Sequence, residues 1–147
     1  QVALTSLTFE RSQIGMAYAI RVRTLLTALM DHLSSTGRIS DPLVADRFAD
    51  IAIRTRCLEL TSQRLLSEAE AKGGMGPEGS LTKWMWSDTN ARLAELAVDV
   101  VGPDALLQGS RWSYALLRSR ANSIEGGTTD VLKNIIADRV LGLPRVR

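Results

Sequence analysis

At 147 residues, 45% of them hydrophobic, the chain fits one domain and carries enough apolar material for a real core. Its 18 lysines and arginines are scattered among 16 aspartates and glutamates, a net charge of +2, which argues against a nucleic-acid footprint. One cysteine and one histidine exclude an internal disulfide and a metal cluster built on those side chains.

No apolar run approaches the roughly 18 residues of a membrane span, and no basic-apolar-small leader pattern opens the chain, so a soluble, cytoplasmic protein is expected. The first residue is Gln1, and the opening "QVALTSLTFE" has no turn or cap logic of its own. That suggests a fragment of a longer protein.

From about Thr8 to Ser35 the apolar positions Ile14, Tyr18, Val22, Leu25, Leu29 and Leu33 repeat at three and four, the period of a helix that stops at Gly37. His32, near its end among polar neighbours, reads as solvated. A second helix starts at Asp41 as N-cap with Pro42 at the first helical position, and carries Val44, Phe48, Ile51, Leu58 and Leu65 on one side. Cys57 lies within that apolar-periodic segment and reads as a small buried thiol. After "KGGMGPEG", Ser80 is the expected cap of a third helix lined by Leu81, Met85, Leu93, Leu96 and Val100 and ended by Gly102-Pro103. Trp84 and Trp86 stand two apart and cannot share a helix face, so at least one is expected to be partly exposed or to meet another subunit or domain. A short helix is expected around Ser110 to Leu117.

The chain closes on "SIEGGTTDVLKNIIADRVLGLP". Thr128 or Thr129 can cap the last helix, Asp130 places negative charge where the macrodipole favours it, and Gly142 with Pro144 ends it. On spacing alone this is either an ordinary capped helix after a glycine turn, or a turn that offers N–H and hydroxyl donors to an anionic or carbonyl ligand. Long amphipathic helices with short polar connections predict an all-α fold, an antiparallel four-helix bundle in a single domain over residues 1–147.

The closing stretch resembles the end motif of the flavin-dependent acyl-CoA dehydrogenases, and "LTFERSQIG" resembles the opening helix of that family's C-terminal helical domain. The likeness runs over nearly the whole chain, including "LAELAVDVVGP" and "GRISDPLVADRFADI", and is greatest to the actinobacterial-type branch. It implies that an N-terminal helical domain and a middle β domain belong to the full-length protein. The implied reaction is FAD-dependent α,β-dehydrogenation of an acyl-CoA thioester to the 2,3-enoyl-CoA, a step of fatty-acid or lipid metabolism. Implied partners are related subunits in a homo- or hetero-oligomer, and an electron-transfer flavoprotein as acceptor.

The resemblance also assigns residues. Many members close on tyrosine-glutamate-glycine-threonine, whose glutamate is the base; aligning Gly127-Thr128 puts Gly126 at that position and Glu125 one residue early. A branch resembling the isovaleryl- and long-chain-specific enzymes carries its base on the first helix, in a leucine-glutamate-arginine run, which here reads Phe9-Glu10-Arg11. Glu10 thus matches the alternative base, and Gly126 would donate its N–H to the thioester oxygen. Arg11 and Gly127 match substrate-side positions, and Thr128, Asp130, Asp99 and Arg38 flavin-side ones. There are departures: the flavin-contacting stretch between the first two helices is missing, with Arg38 a partial substitute. Asp99 replaces a glutamine and Pro103 a glycine. These fit a subunit of a heteromeric enzyme whose flavin and substrate sites are shared unequally between two related chains; a non-catalytic structural subunit is the alternative to a catalytic chain, and a helical ligand-binding or oligomerisation module is a third reading.

Overall fold

The computed structural model describes residues 15–74 and 76–144. Five α-helices follow in order: α1 (Gly15–Ser35), α2 (Pro42–Lys72), α3 (Gly79–Val101), α4 (Arg111–Asn122) and α5 (Thr129–Ile135), which runs on as a π-helical turn over Ile136–Val140. Short 3-10 turns at Arg38–Ser40 and Gly102–Leu106 join α1 to α2 and follow α3. There is no strand among the described residues. The all-helical expectation holds, with α1, α2 and α3 as the long antiparallel members.

The helix boundaries follow local chemistry. Asp41 accepts the N–H of Leu43 at 2.9 Å, with Pro42 in the first turn where a missing N–H costs nothing. At the other end of α2, Gly73 takes a left-handed conformation (φ 75°) and its N–H closes onto the Ala69 carbonyl. Ser110 caps α4 by accepting from Trp112 N–H at 3.2 Å. The expected Ser80 cap does not form. Helix α3 begins two residues earlier, at Gly79, the Pro77 and Glu78 carbonyls take the N–H groups of Ser80 and Leu81, and Ser80 is buried within the first turn. A preceding turn of backbone has supplied what a cap side chain would have.

Helix α3 is the hub, touching α1, α2, α4 and α5. Being surrounded, it buries residues around most of its circumference, and small side chains (Ser80, Ser87, Ala94, Ala97) let neighbours approach closely. Val22, Leu29 and Leu33 of α1, Ile51 and Leu58 of α2 and Leu93 and Leu96 of α3 form the centre of the core. Trp86 lies within it, 4% exposed, its ring stacked on Tyr18 at 3.9 Å. Trp84 points the other way, half-buried beneath the Lys133 ammonium at 5.3 Å. The two indoles do diverge, and each finds a partner inside the chain.

Cys57 is exposed, not buried. The buried stripe of α2 runs through Ile51, Thr55, Leu58, Ser62 and Leu65, and Cys57, two positions from Thr55, falls on the opposite face. His32 is half-buried near the end of α1.

Leu93, fully buried, and Cys57 should therefore respond in opposite ways to truncation. Leu93→Ala should lower stability by about 2–5 kcal/mol, whereas Cys57→Ser should stay within about 0.5 kcal/mol. Urea titration of the 147-residue chain, followed by helical circular dichroism, measures both.

Candidate functional site: the glycine turn between α4 and α5

Helix α4 ends at Asn122, and the chain must reverse within six residues to start α5 at Thr129. Ile124 and Glu125 both donate their N–H to the Ala121 carbonyl, at 3.0 and 2.9 Å. Hydrogen bonding resumes at Thr129, whose N–H reaches the Ser123 carbonyl at 3.2 Å. Between them, the N–H groups of Gly126, Gly127 and Thr128 meet no acceptor among the described residues. Gly126 (φ 64°) and Gly127 (φ 114°) make this possible, since an L side chain at positive φ is strained by about 1–2 kcal/mol per residue. Thr128 then caps α5, its hydroxyl accepting from Val131 N–H at 3.4 Å. Asp130 is exposed in the first turn, beside the positive end of the helix.

The turn rests on a buried lysine. Lys83 of α3 is 2% exposed and donates from Nζ to the Asn122 carbonyl at 2.5 Å. Its ammonium also lies 5.3 Å from the centre of the Trp86 ring. A Cβ added to Gly126 would meet the Lys83 Cε at 3.4 Å, so the apex of the turn packs on the same side chain. Beside it, the buried Asn122 Oδ1 has no hydrogen-bond partner among the described residues.

Glu125 is turned away from this arrangement. Arg118 grips both of its carboxylate oxygens at 2.7 Å on the exposed side of α4. That hydrogen bond raises the Arg118 pKa above its ordinary value. Next to the turn an open groove runs between α2, α3, α4 and α5, lined by Arg54, Trp84, Asp88, Arg92, Arg120 and Lys133 among others. Its charges are largely matched: Arg54 and Arg92 share Asp88 at 3.3 and 2.9 Å, and Arg120 reaches Glu95 at 2.8 Å. The Arg54 guanidinium, hydrogen-bonded to Asp50 at 2.7 Å, holds that carboxyl below its ordinary value.

The expected site residues fall into three groups. Gly126, Gly127, Thr128 and Asp130 come together at the turn. Arg38 and Asp99 lie at the far end of the bundle: Arg38 is exposed in the turn after α1, and Asp99 is paired with Arg47 at 2.9 Å. From Lys83 to Asp99 α3 advances about 24 Å, so no small group touches both sets within one chain. Glu10 and Arg11 lie outside the described residues. Sequence reasoning missed Lys83 and Asn122. The signal was available for the lysine, which falls on the face shared by Trp86, Asn90, Leu93 and Ala97, where a solvated cation has no place. Among the described residues no group of three or more His, Cys, Asp or Glu side chains could hold a metal ion, and no helix is long and apolar enough to cross a membrane.

A family model described as the C-terminal domain of acyl-CoA dehydrogenase matches residues 1–141. The chain is 32% identical to the acyl-CoA dehydrogenase IpdE1 of Mycolicibacterium smegmatis, an alignment covering 99% of this chain and 37% of that protein. It is 31% identical to the IpdE1 of Mycobacterium tuberculosis, covering 99% of this chain and 38% of that one. The chain thus spans little more than a third of the length of these relatives. Among solved structures, the Tcur3481-Tcur3483 steroid ACAD matches with a TM-score of 0.80 at 17% identity, over 95% of this chain and 38% of that chain. A variant of the same protein gives a TM-score of 0.83 at 18% identity, over 98% of this chain and 40% of that chain. At such identities these two show the fold.

Thr128→Ala should remove about 1 kcal/mol of stability through the lost cap, and Thr129→Ala, which breaks no cap bond, less than half of that. The Asp50 pair has a definite sign: a carboxyl depressed in the folded state contributes stability at neutral pH and loses it as pH falls below its ordinary value of 3.8. Arg54→Ala should move the Asp50 midpoint up towards 3.8, read by carboxyl NMR titration.

Proposed function

The chain belongs to the acyl-CoA dehydrogenase family, whose C-terminal domain it carries, and from that premise we propose that the full-length protein dehydrogenates an acyl-CoA thioester between its α and β carbons with FAD. The observation that carries this reading is the row of three N–H groups at Gly126, Gly127 and Thr128 without an acceptor among the described residues, at the position where many members close on their base. Donors aimed at a carbonyl oxygen stabilise the negative charge that develops there when the α-proton leaves. Position 126 carries no side chain, and Glu125 is held outside by Arg118. Neither residue supplies a base.

Glu10 takes that role in the proposal, as a carboxylate that abstracts the α-proton. Gly126 offers its N–H to the thioester oxygen, with Arg11 and Gly127 on the substrate side. The donor chemistry of the turn fits a flavin: Thr128 keeps a hydroxyl proton to donate after accepting the bond from Val131. FAD, when bound, supplies the two-electron acceptor for the β-hydrogen. Asp130 adds to the flavin side of the turn, while Asp99 and Arg38, at the other end of the bundle, suit a cofactor that extends to a neighbouring subunit. The full-length protein would then be an oligomer with N-terminal helical and middle β domains, passing electrons to an electron-transfer flavoprotein.

A second reading, a non-catalytic subunit of a heteromeric enzyme, is favoured by the Asp99 carboxylate, which is already paired with Arg47 at 2.9 Å and carries the wrong sign to approach a phosphate.

In the full-length enzyme, Glu10→Gln should cut turnover by about a hundredfold or more with flavin content and melting temperature near normal. Glu125→Gln should leave turnover within about twofold, since only an exposed ion pair is lost. Steady-state rates with a dye acceptor decide between the readings: loss on Glu125→Gln alone would move the base to the turn, and no effect of either would favour the non-catalytic subunit. The isolated 147-residue chain should fold and show no turnover.

A further inference from the structure

Lys83 is buried to 2% on the most enclosed face of α3, a position where an ammonium is strongly unfavourable unless its charge and donors are engaged. Methionine or leucine would fill a similar volume without that penalty. The reason for a cation must lie in what it reaches. It reaches the turn twice: Nζ donates to the carbonyl of Asn122, the last residue of α4, at 2.5 Å, and Cε forms the floor 3.4 Å from where a Gly126 Cβ would stand. The carbonyl end of a helix carries partial negative charge, so this is a charge-assisted bond at the point where the chain leaves α4.

The lysine is itself held from behind. Its ammonium lies 5.3 Å from the Trp86 ring centre, and Trp86 stacks on Tyr18 of α1 at 3.9 Å and 9°. A packed line therefore runs from α1 through the core of α3 to the underside of the turn. The same turn carries three consecutive N–H groups without acceptors among the described residues. Two adjacent residues at positive φ have no internal ladder to hold their direction, so their aim depends on what clamps them at either side.

We propose that Lys83 is the positioning residue of the glycine turn: it fixes the direction of the Gly126–Thr128 N–H groups and places a buried positive charge on the protein side of them. This rests on the reading of the turn as the thioester-oxygen site given above. Because an enolate oxygen gains more from aimed donors and nearby positive charge than a neutral thioester does, loss of Lys83 falls on kcat rather than on KM.

The test uses the full-length flavoenzyme with Lys83→Met and Lys83→Gln. Flavin content, kcat and KM are measured, together with the infrared C=O stretch of an enoyl-CoA bound with a 13C-labelled thioester carbonyl. In the parent enzyme the stretch should lie below that of the free thioester, because hydrogen bonds weaken the bond. Lys83→Met should lose at least about half of that displacement and about tenfold or more in kcat, with KM changed less than about threefold and flavin retained. Lys83→Gln, which keeps an uncharged donor, should fall between. If Lys83→Met does not fold, Lys83→Gln decides on the same readouts. A parent-like stretch and kcat within about twofold, with only the melting temperature lowered, would reduce Lys83 to a structural role and overturn the proposal. If the parent enzyme itself shows no displaced stretch, the turn is not the thioester site, and both the functional reading and the proposal fall.

Discussion

A buried ammonium ties the start of α3 to the end of α4. Lys83 lies near the start of α3, yet its acceptor, the Asn122 carbonyl, is 39 residues further on, at the end of α4. Between them the chain runs the length of α3, makes a 3-10 turn and returns. That return is marked by this bond and by the Arg120–Glu95 pair, and the cost of burying a charge at 2% exposure favours the packing that keeps the ammonium bonded. The same lysine then forms the floor beneath Gly126, so the geometry of the turn follows from the packing of α3.

This places unusual demands on α3. It must be flat enough on several sides for α1, α2, α4 and α5 to reach it, and the sequence meets that with serine, threonine, alanine and glycine between its larger core residues. Close approach of Gly15 to Ser62 and Thr82 shows the same logic, since a Cβ at Gly15 would sit only 3.3 Å from the Ser62 hydroxyl. By contrast the surface ion pairs, such as Arg47 with Asp99 and Arg92 with Asp88, lie between partly exposed groups and contribute little to stability. Packing around one helix determines the fold, and the charged network decorates it.

The arrangement also bears on the proposal that the base lies outside the closing turn. A glutamate one residue from the expected place is diverted to Arg118, where its charge is satisfied on the exterior. What stays at the turn is backbone: N–H groups of two glycines and a threonine, which have no charge to titrate and need no side-chain ordering. Such a wall suits the stabilisation of a developing oxyanion, the role proposed for it above.

Much of this was legible in the sequence. The capped starts at Asp41 and Thr128, the short helix near Ser110, the glycine stop at Gly73 and the apolar stripes of α1 and α2 are short-range consequences of dihedral preference and the 3.6-residue period, which neighbouring residues settle among themselves. The family, too, was written in the closing motif. Other features depended on how helices cross. The outward face of Cys57, the choice of Trp86 over Trp84 for the core, the pairing of Glu125 with Arg118 and above all the Lys83 bond to Asn122 each require knowing which side of a helix meets which neighbour. Periodicity identifies a face but not its partner. That partner is chosen by the register and crossing of helices far apart in the chain, so only the tertiary structure could decide where this protein buries a charge.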